Sequence, residues 1–589
     1  MNDTGGQPMA AAAPRDDDRP GVTLTRAPRL RTVLGLSRAE AQMMARSPLA
    51  LAGLLVGAVV TWLFIHRLEP LWWDVSWRIG GGQLVLGMAV LVAAQLAAGR
   101  PRRDGLADLY ASCPATVATR TLAHLVGLAG ALPYGLLLIG GVTAAVQVRG
   151  AIGTPDATVL AGGLLLVIAA GAAGVALGAR FPHPLAGVVG ALALFLSSGT
   201  THLASGAVNW LVPWEMVQDQ LGQLPGPLTG YPPGRAHALE LAGLAAVAGI
   251  AALAVTVRQA RALGGLAVAG IVAVAAVCFA GAVQLRPIPA AALNQLASEI
   301  ADPASAQACA TASQVRYCLY PAFGPLLPSL EAPVNRVLAQ LPTQPGQPLT
   351  IRQVVTLSVP DSAFTHGLPD REVSRWNAQV QQAAGNAIAA PPSAIGLPVG
   401  AWPAVGGQLA DAHFDLALAA AEWAVHLPGT DSFGGSAEVF LPCVPVDQAR
   451  EAVAIWLAIE ATHPSAGELQ AGLGSGPNIQ GADVGGTIIR TWNYPGTGLG
   501  AVAPPGGGTQ ATAAGYLLAK AMTSLPAQKV SRVLASAWGR WLNWRTTDAQ
   551  LAAALGLPMP SASSGVTAPS GKTTAAGPPN GPQSPVCAT

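Results

Sequence analysis

Seven apolar runs, at residues 49–65, 79–98, 119–146, 157–179, 184–203, 238–257 and 262–285, constrain this chain more than any other feature. Crossing the hydrocarbon core of a bilayer takes about 20 apolar residues of helix, and several of the runs reach that length. In lipid every backbone amide needs an internal partner, so such runs fold as helices. Composition agrees: 51% of the 589 residues are hydrophobic and 11% charged, against about 25% charged in a soluble domain. The expectation is a polytopic α-helical membrane protein with about seven transmembrane helices. A net charge of +2, with no basic stripe interleaved with aromatics, argues against a nucleic-acid partner.

Arginine placement sets the orientation. The even connections hold Arg100, Arg102, Arg103, Arg180, Arg258 and Arg261, whereas Arg67, Arg78, Arg149 and Arg235 are spread over the odd ones. By the excess of basic residues on the cytoplasmic side, the N-terminus lies inside the plasma (inner) membrane and residue 286 onward outside. A six-span count reverses that last placement. Residues 1–32 are polar without apolar periodicity and read as a disordered cytoplasmic tail. The first apolar run lies too far along for a cleaved signal peptide and is expected to stay as a signal anchor. Residues 33–47 put Val33, Leu34, Leu36, Ala39, Met43 and Met44 on one helical face. That suits an interfacial helix ended by Ser47-Pro48, the alternative being an overhang of the first span.

Between the second and third runs, residues 100–120 (RPRRDGLADLYASCPATVATR) form a polar loop with a helical pattern inside it. Asp104 offers a cap, Leu106, Leu109 and Tyr110 recur at helical spacing, and Pro114 is a stop. It reads as a short amphipathic surface helix or as a solvated loop. Pro133 is expected to kink the third run. After Phe195 the fifth run becomes too polar for lipid and too apolar for a loop, which suits re-entrant outer helices. Trp72, Trp73 and Trp77, with Trp210 and Trp214, are expected at the outer interface.

The spans hold few chemical groups. Gln83, Gln95 and His124 are the chief polar residues, and Glu240 reads as lying at a span end. Without a buried carboxylate, an ion-coupled carrier loses weight. His124 reads as a packed side chain rather than a proton relay. No GxxxxGK[ST] loop is present, and AGLGSG at 471–476 lacks the lysine that reaches phosphates. The chain is therefore expected not to hydrolyse ATP itself.

Residues 33–257 resemble the permease subunit of type-2 ABC exporters, in particular the actinobacterial variety with an added extracytoplasmic domain. AEAQMMARSPLALAGLLVGAVV resembles that family's connecting helix and first span, and GRPRRDGLADLYASCPATVATRTLAHL its coupling helix. The resemblance implies a cytoplasmic ABC ATPase subunit as partner, with ATP and Mg on that subunit and no cofactor in this chain. It also implies a homodimer or paired permease, surrounded by membrane lipid. It implies ATPase contact at Asp104, Leu106, Leu109, Tyr110 and Pro114. A seventh span and a large outer domain depart from the family's common six-span plan.

The resulting division is a 48–257 permease domain, with the coupling loop at 100–120 and an outer re-entrant region at 197–237, then a seventh span at 258–285. A mainly α (α+β) extracytoplasmic domain follows at 286–560, then a disordered tail at 561–589 rich in Ser, Pro, Gly and Thr. Helices are expected at 289–302, 369–390, 408–426, 445–462, 510–523 and 527–541, and strands at 349–359, 436–441 and 486–492. Outside the membrane disulfides persist, and Cys309 with Cys318 would close a small loop. The adjoining YCLYPAFGPLLP resembles the Cys-x-His-Pro-Ala-Tyr segment of the same exporters, with Tyr320 where a histidine often stands. His366, His413, His426 and His463 form no HExxH motif, and no GxSxG elbow occurs. Trp538, Trp541 and Trp544 recur every three residues, as a core face or a headgroup stripe.

The reading is a permease that exports an amphipathic or lipid-like solute by alternating access. A membrane-anchored extracytoplasmic enzyme, or a non-transporting sensor or scaffold, is the alternative.

Overall fold

The computed structural model describes residues 26–66, 71–106, 112, 115–199, 213, 234–257, 260–286, 291, 295, 298–299, 302–346, 348–354, 394–398, 409–425, 449–463, 483–484, 487–488, 513–543 and 545–559. It is mostly helical. Among these residues six helices are long and apolar enough to cross a membrane, as in a multi-pass membrane protein.

Helix α1 (Arg26–Ala45) ends just before Ser47, whose side chain accepts from the Ala50 amide and caps α2 (Pro48–Ile65). Proline at the first position of α2 costs no hydrogen bond there. Helix α3 (Trp72–Arg103) is longer than the 79–98 run. Its polar ends extend the ladder at both margins. The third run divides into α4 (Val117–Gly127), a 3-10 turn (Leu128–Ala131) and α5 (Leu132–Val148), with Pro133 at the start of α5. The expected kink is that turn. Then come α6 (Ala157–Arg180), α7 (Leu185–Gly199), α8 (Gly234–Ala254) and α9 (Ala260–Gln284). At 15 residues, α7 spans about 22 Å, short of the roughly 30 Å core.

Helix packing relies on small residues, which let backbones approach where no hydrophobic effect drives association. On α6, Gly178 lies against the Gln95 carbonyl oxygen of α3, where an added Cβ would come within 2.5 Å. Gly57 of α2 faces Gly82 of α3 in the same way. The opposite face of α2 exposes Leu51, Leu55, Val59 and Leu63. Trp72 and Trp77 are only 3% and 7% exposed, so they pack inside the protein rather than at an outer interface. The side chain of Trp73 and residues 210 and 214 lie outside the described residues.

The C-terminal part carries a four-stranded sheet in the order β1 (Ala308–Ala312), β2 (Val315–Leu319), β3 (Leu349–Val354), β4 (Ala394–Pro398). Strands β1 and β2 form an antiparallel hairpin; β2–β3 and β3–β4 are parallel. Parallel neighbours need a crossover. Helix α10 (Leu327–Gln340), entered through a 3-10 turn at Pro321–Leu326, supplies the one between β2 and β3. Helices α11 (Leu409–Ala424), α12 (Ala449–Thr462), α13 (Ala513–Met522), α14 (Ala527–Ser536), α15 (Trp538–Trp541) and α16 (Asp548–Leu555) share one core with this sheet. Helix α12 is buried nearly all round, as a central helix must be. A two-stranded ribbon, β5 (Asp483–Val484) and β6 (Thr487–Ile488), completes the described strands.

Leu71 belongs to that same core, and the partly buried Ile152 and Leu285 pack against it. The domain therefore sits on the end of the helical bundle where α3 and α6 begin and α9 ends. Trp541 is buried and donates from its indole to the Val533 carbonyl, with Arg540 over its ring. At Trp541, then, the tryptophan stripe is core. The expected helix at 369–390 and strand at 436–441 lie outside the described residues. The hairpin, β4 and α10 have no counterpart in the sequence expectation.

Candidate functional site

The loop at 100–120 leaves the bundle at the end opposite the C-terminal domain. Helix α3 continues through Pro101 to Arg103, so Asp104 ends α3 instead of starting a new helix, its amide reaching the Arg100 carbonyl at 2.9 Å. Its carboxylate accepts from Arg103 at 3.0 Å. Gly105, at φ +69°, makes the left-handed turn that ends many helices. Leu106 follows, 39% exposed, with its amide donating to the Pro101 carbonyl. Leu109, Tyr110 and Pro114 lie outside the described residues; Ser112 is helical. Thr116 then caps α4 by accepting from the Thr119 amide at 3.1 Å.

Three contacts anchor the two ends of this loop. Arg102 donates to the Ala179 carbonyl at the end of α6, at 2.8 Å. Gln95 donates to the carbonyls of Phe181 and His183 at 3.1 and 3.0 Å, which fixes the α6–α7 connection to α3. On the other side α1 is seated on α4 and the 3-10 turn. A Cβ on Gly127 would lie 2.6 Å from that of Glu40, and one on Gly130 would overlap the Ala41 carbonyl. Tyr134 donates to the Ala45 carbonyl at 2.6 Å, satisfying one of the carbonyls a helix end leaves free. Glu40 and His124 form an ion-pair contact at 3.0 Å, each about one-fifth exposed.

Beside this seam α1, α3 and α4 enclose a cleft of about 600 Å³ lined by Glu40, Met43, Arg46, Leu96, Arg100 and His124 among others. Arg102 ties the start of the 104–116 segment to the end of α6, and α4 ties its end to α1.

A second polar cluster sits at the other end of the bundle. Gln284 donates to Glu240 at 2.6 Å, and His237 Nδ1 lies 3.2 Å from the Gln284 oxygen and 3.6 Å from the Glu240 carboxylate. Glu240 is 5% exposed and Gln284 fully buried. Glu240, expected at a span end, lies more than a turn inside α8, which starts at Gly234, so the bundle does hold a buried carboxylate.

In the C-terminal domain Cys309 and Cys318 stand directly opposite across the hairpin and are disulfide-bonded. Tyr320 is 2% exposed; its amide donates to Gln353 and its hydroxyl to the Glu299 carbonyl. Burial, and secondarily Glu299, pushes its phenol above the usual range. It serves as a core residue. Ser329 and His413 lie 3.2 Å apart, and burial, with Arg336 adding, holds the His413 imidazole below its ordinary pKa. Among the described residues no group of three or more His, Cys, Asp or Glu side chains is placed to hold a metal. Glu422 is half-buried and His426 lies outside the described residues.

Comparison with family models, with curated proteins and with solved structures found no match.

Proposed function

We propose that this chain is the membrane-spanning subunit of an ATP-driven exporter, moving an amphipathic or lipid-like solute by alternating access while a separate cytoplasmic subunit hydrolyses ATP. The observation that carries this is the anchored loop at 100–116. Its described start exposes Leu106 at the basic end of the bundle, and its two ends are tied to α6 through Arg102 and to α1 through α4. A partner gripping Leu106, Leu109 and Tyr110 would move these helices together. Pro114 would end the gripped segment and Asp104 would fix its start. ATP and Mg then belong to the partner, and two permease copies form the translocation path.

The ends of the described helices support seven crossings. His183 is held to Gln95 at the basic end, and Gly234 lies against Thr158 at the other. On this reading one crossing lies between the start of α7 and the start of α8, and α9 ends where Leu285 packs against the C-terminal core. With the basic end cytoplasmic, that domain is extracytoplasmic in the plasma membrane, where its disulfide persists.

Copurification in mild detergent tests this, comparing the wild type with a Leu106→Asp/Leu109→Asp variant. An ATP-binding subunit recovered with the wild type alone supports the reading; none in either sample, with topology intact, overturns it. The Ser329–His413 pair favours a second reading, an extracytoplasmic hydrolase. A Ser329-dependent covalent adduct with a fluorophosphonate probe would support that one.

A further inference from the structure

The cleft between α1, α3 and α4 carries charge that its own residues do not cancel. Three arginines, Arg46, Arg100 and Arg103, line it against one glutamate, Glu40. Arg103 is paired with Asp104 and Glu40 with His124. Among the described residues Arg46 and Arg100 have no acidic partner, and Arg100 reaches only the Met43 sulfur at 3.9 Å. Much of the remaining lining is apolar, with Met43, Met44, Leu96, Leu128 and Val175 among it. Leu49, which also lines the cleft, is 39% exposed on the first turn of α2, and Val56 two turns on continues its exposed apolar side. Two guanidiniums without an acidic partner among the described residues, in a largely apolar cleft beside an exposed apolar helix, complement a phosphodiester that carries acyl chains. Free phosphate would leave the apolar lining uncovered.

We propose that this cleft binds one acidic phospholipid of the adjoining leaflet, its phosphate at Arg46 and Arg100 and its chains along Leu49 and Val56. The site stands on the membrane placement alone and survives failure of the exporter reading. A lipid seated there would brace α1 against α3 beside the Glu40–His124 contact.

Delipidated full-length protein, titrated in parallel with phosphatidylglycerol, phosphatidylcholine and inorganic phosphate under native mass spectrometry, tests it. One phosphatidylglycerol per chain is expected to bind in preference to phosphatidylcholine. Arg46→Gln and Arg100→Gln should each weaken it about fivefold, and the double variant about 30-fold, from the attraction of one basic residue for an anionic headgroup. Arg316→Gln, on the exposed edge of the C-terminal domain, should change nothing. Unchanged amide exchange in α1 of the detergent-solubilised variants shows that the seam is still folded. Equal affinity for both lipids, full displacement by phosphate, or unchanged binding in the double variant overturns the proposal. So does loss of a copurifying polypeptide from that variant while its lipid is retained.

Discussion

Replacing Gly130 by alanine tests the α1 seam at its tightest point. The added Cβ would overlap the Ala41 carbonyl oxygen and lie 2.8 Å from its carbon, where ordinary contact begins at 3.4 Å. Helix α1 must therefore withdraw, and the atom it meets is backbone, which no rotamer change relieves. Overpacking of this kind costs about 1–3 kcal/mol, and the conformational gain of alanine over glycine offsets about 0.5–1 kcal/mol of it. A net loss of about 1–2 kcal/mol is expected, together with a looser Glu40–His124 contact and a looser Tyr134 bond to Ala45. Gly140 is the matched control, because an added Cβ there meets nothing within 4 Å. Gly140→Ala should be neutral or stabilising by about 0.5 kcal/mol. Denaturation of the purified protein in mixed micelles gives the stabilities, and hydrogen exchange shows whether α1 amides open faster. Equal stability of the two variants, with α1 protection unchanged, would refute the packing argument.

Cys309→Ser/Cys318→Ser should destabilise the C-terminal domain by about 2–3 kcal/mol, from the closure entropy of the short loop spanned by the disulfide; an unchanged unfolding midpoint under oxidising conditions contradicts this. Glu240→Ala leaves the buried Gln284 amide without its carboxylate and should cost about 1–3 kcal/mol, whereas Glu240→Gln keeps an acceptor and should cost less; equal losses in micelle denaturation argue against the network. Burial depresses the His413 pKa, so the unfolded chain takes up the proton first and stability falls as pH drops below the ordinary histidine value of about 6.5. His413→Phe should flatten that part of the stability profile between about pH 7 and 5, as followed by tryptophan fluorescence. A slope unchanged in the variant assigns the effect elsewhere.

Much of the bundle was legible because apolar length is a local property. The run at 262–285 became Ala260–Gln284 almost unaltered, and Pro133 marked the break in the third run. The margins were less legible: Trp72 to Arg78 and Arg100 to Arg103 are polar enough to read as loop, yet they continue the α3 ladder. In the C-terminal domain, Pro328 and Pro333 hid α10: Pro328 in its first turn removes no needed bond, while Pro333 stands inside the helix. The hairpin strand ACATA has too little hydrophobic alternation to announce itself. Of the proposed coupling residues, Asp104 and Leu106 are placed, with Asp104 ending α3 rather than capping the next helix. The cleft, the Glu40–His124 contact and the Glu240–Gln284–His237 cluster were not legible, since each joins residues far apart in the chain with no spacing rule to link them. Only the packing of α1 on α4, and of α8 on α9, brings them together.

The claim that a separate ATPase drives this chain through residues 104–114 is tested most directly by photo-crosslinking in intact cells. A photoreactive amino acid at Leu106 or Leu109 is compared with one at Leu136, which is 55% exposed on the apolar surface of α5. The account predicts that the first two capture a nucleotide-binding polypeptide and the third does not. Capture of no such polypeptide from either loop position, in protein whose loop is accessible from the cytoplasm, would contradict it.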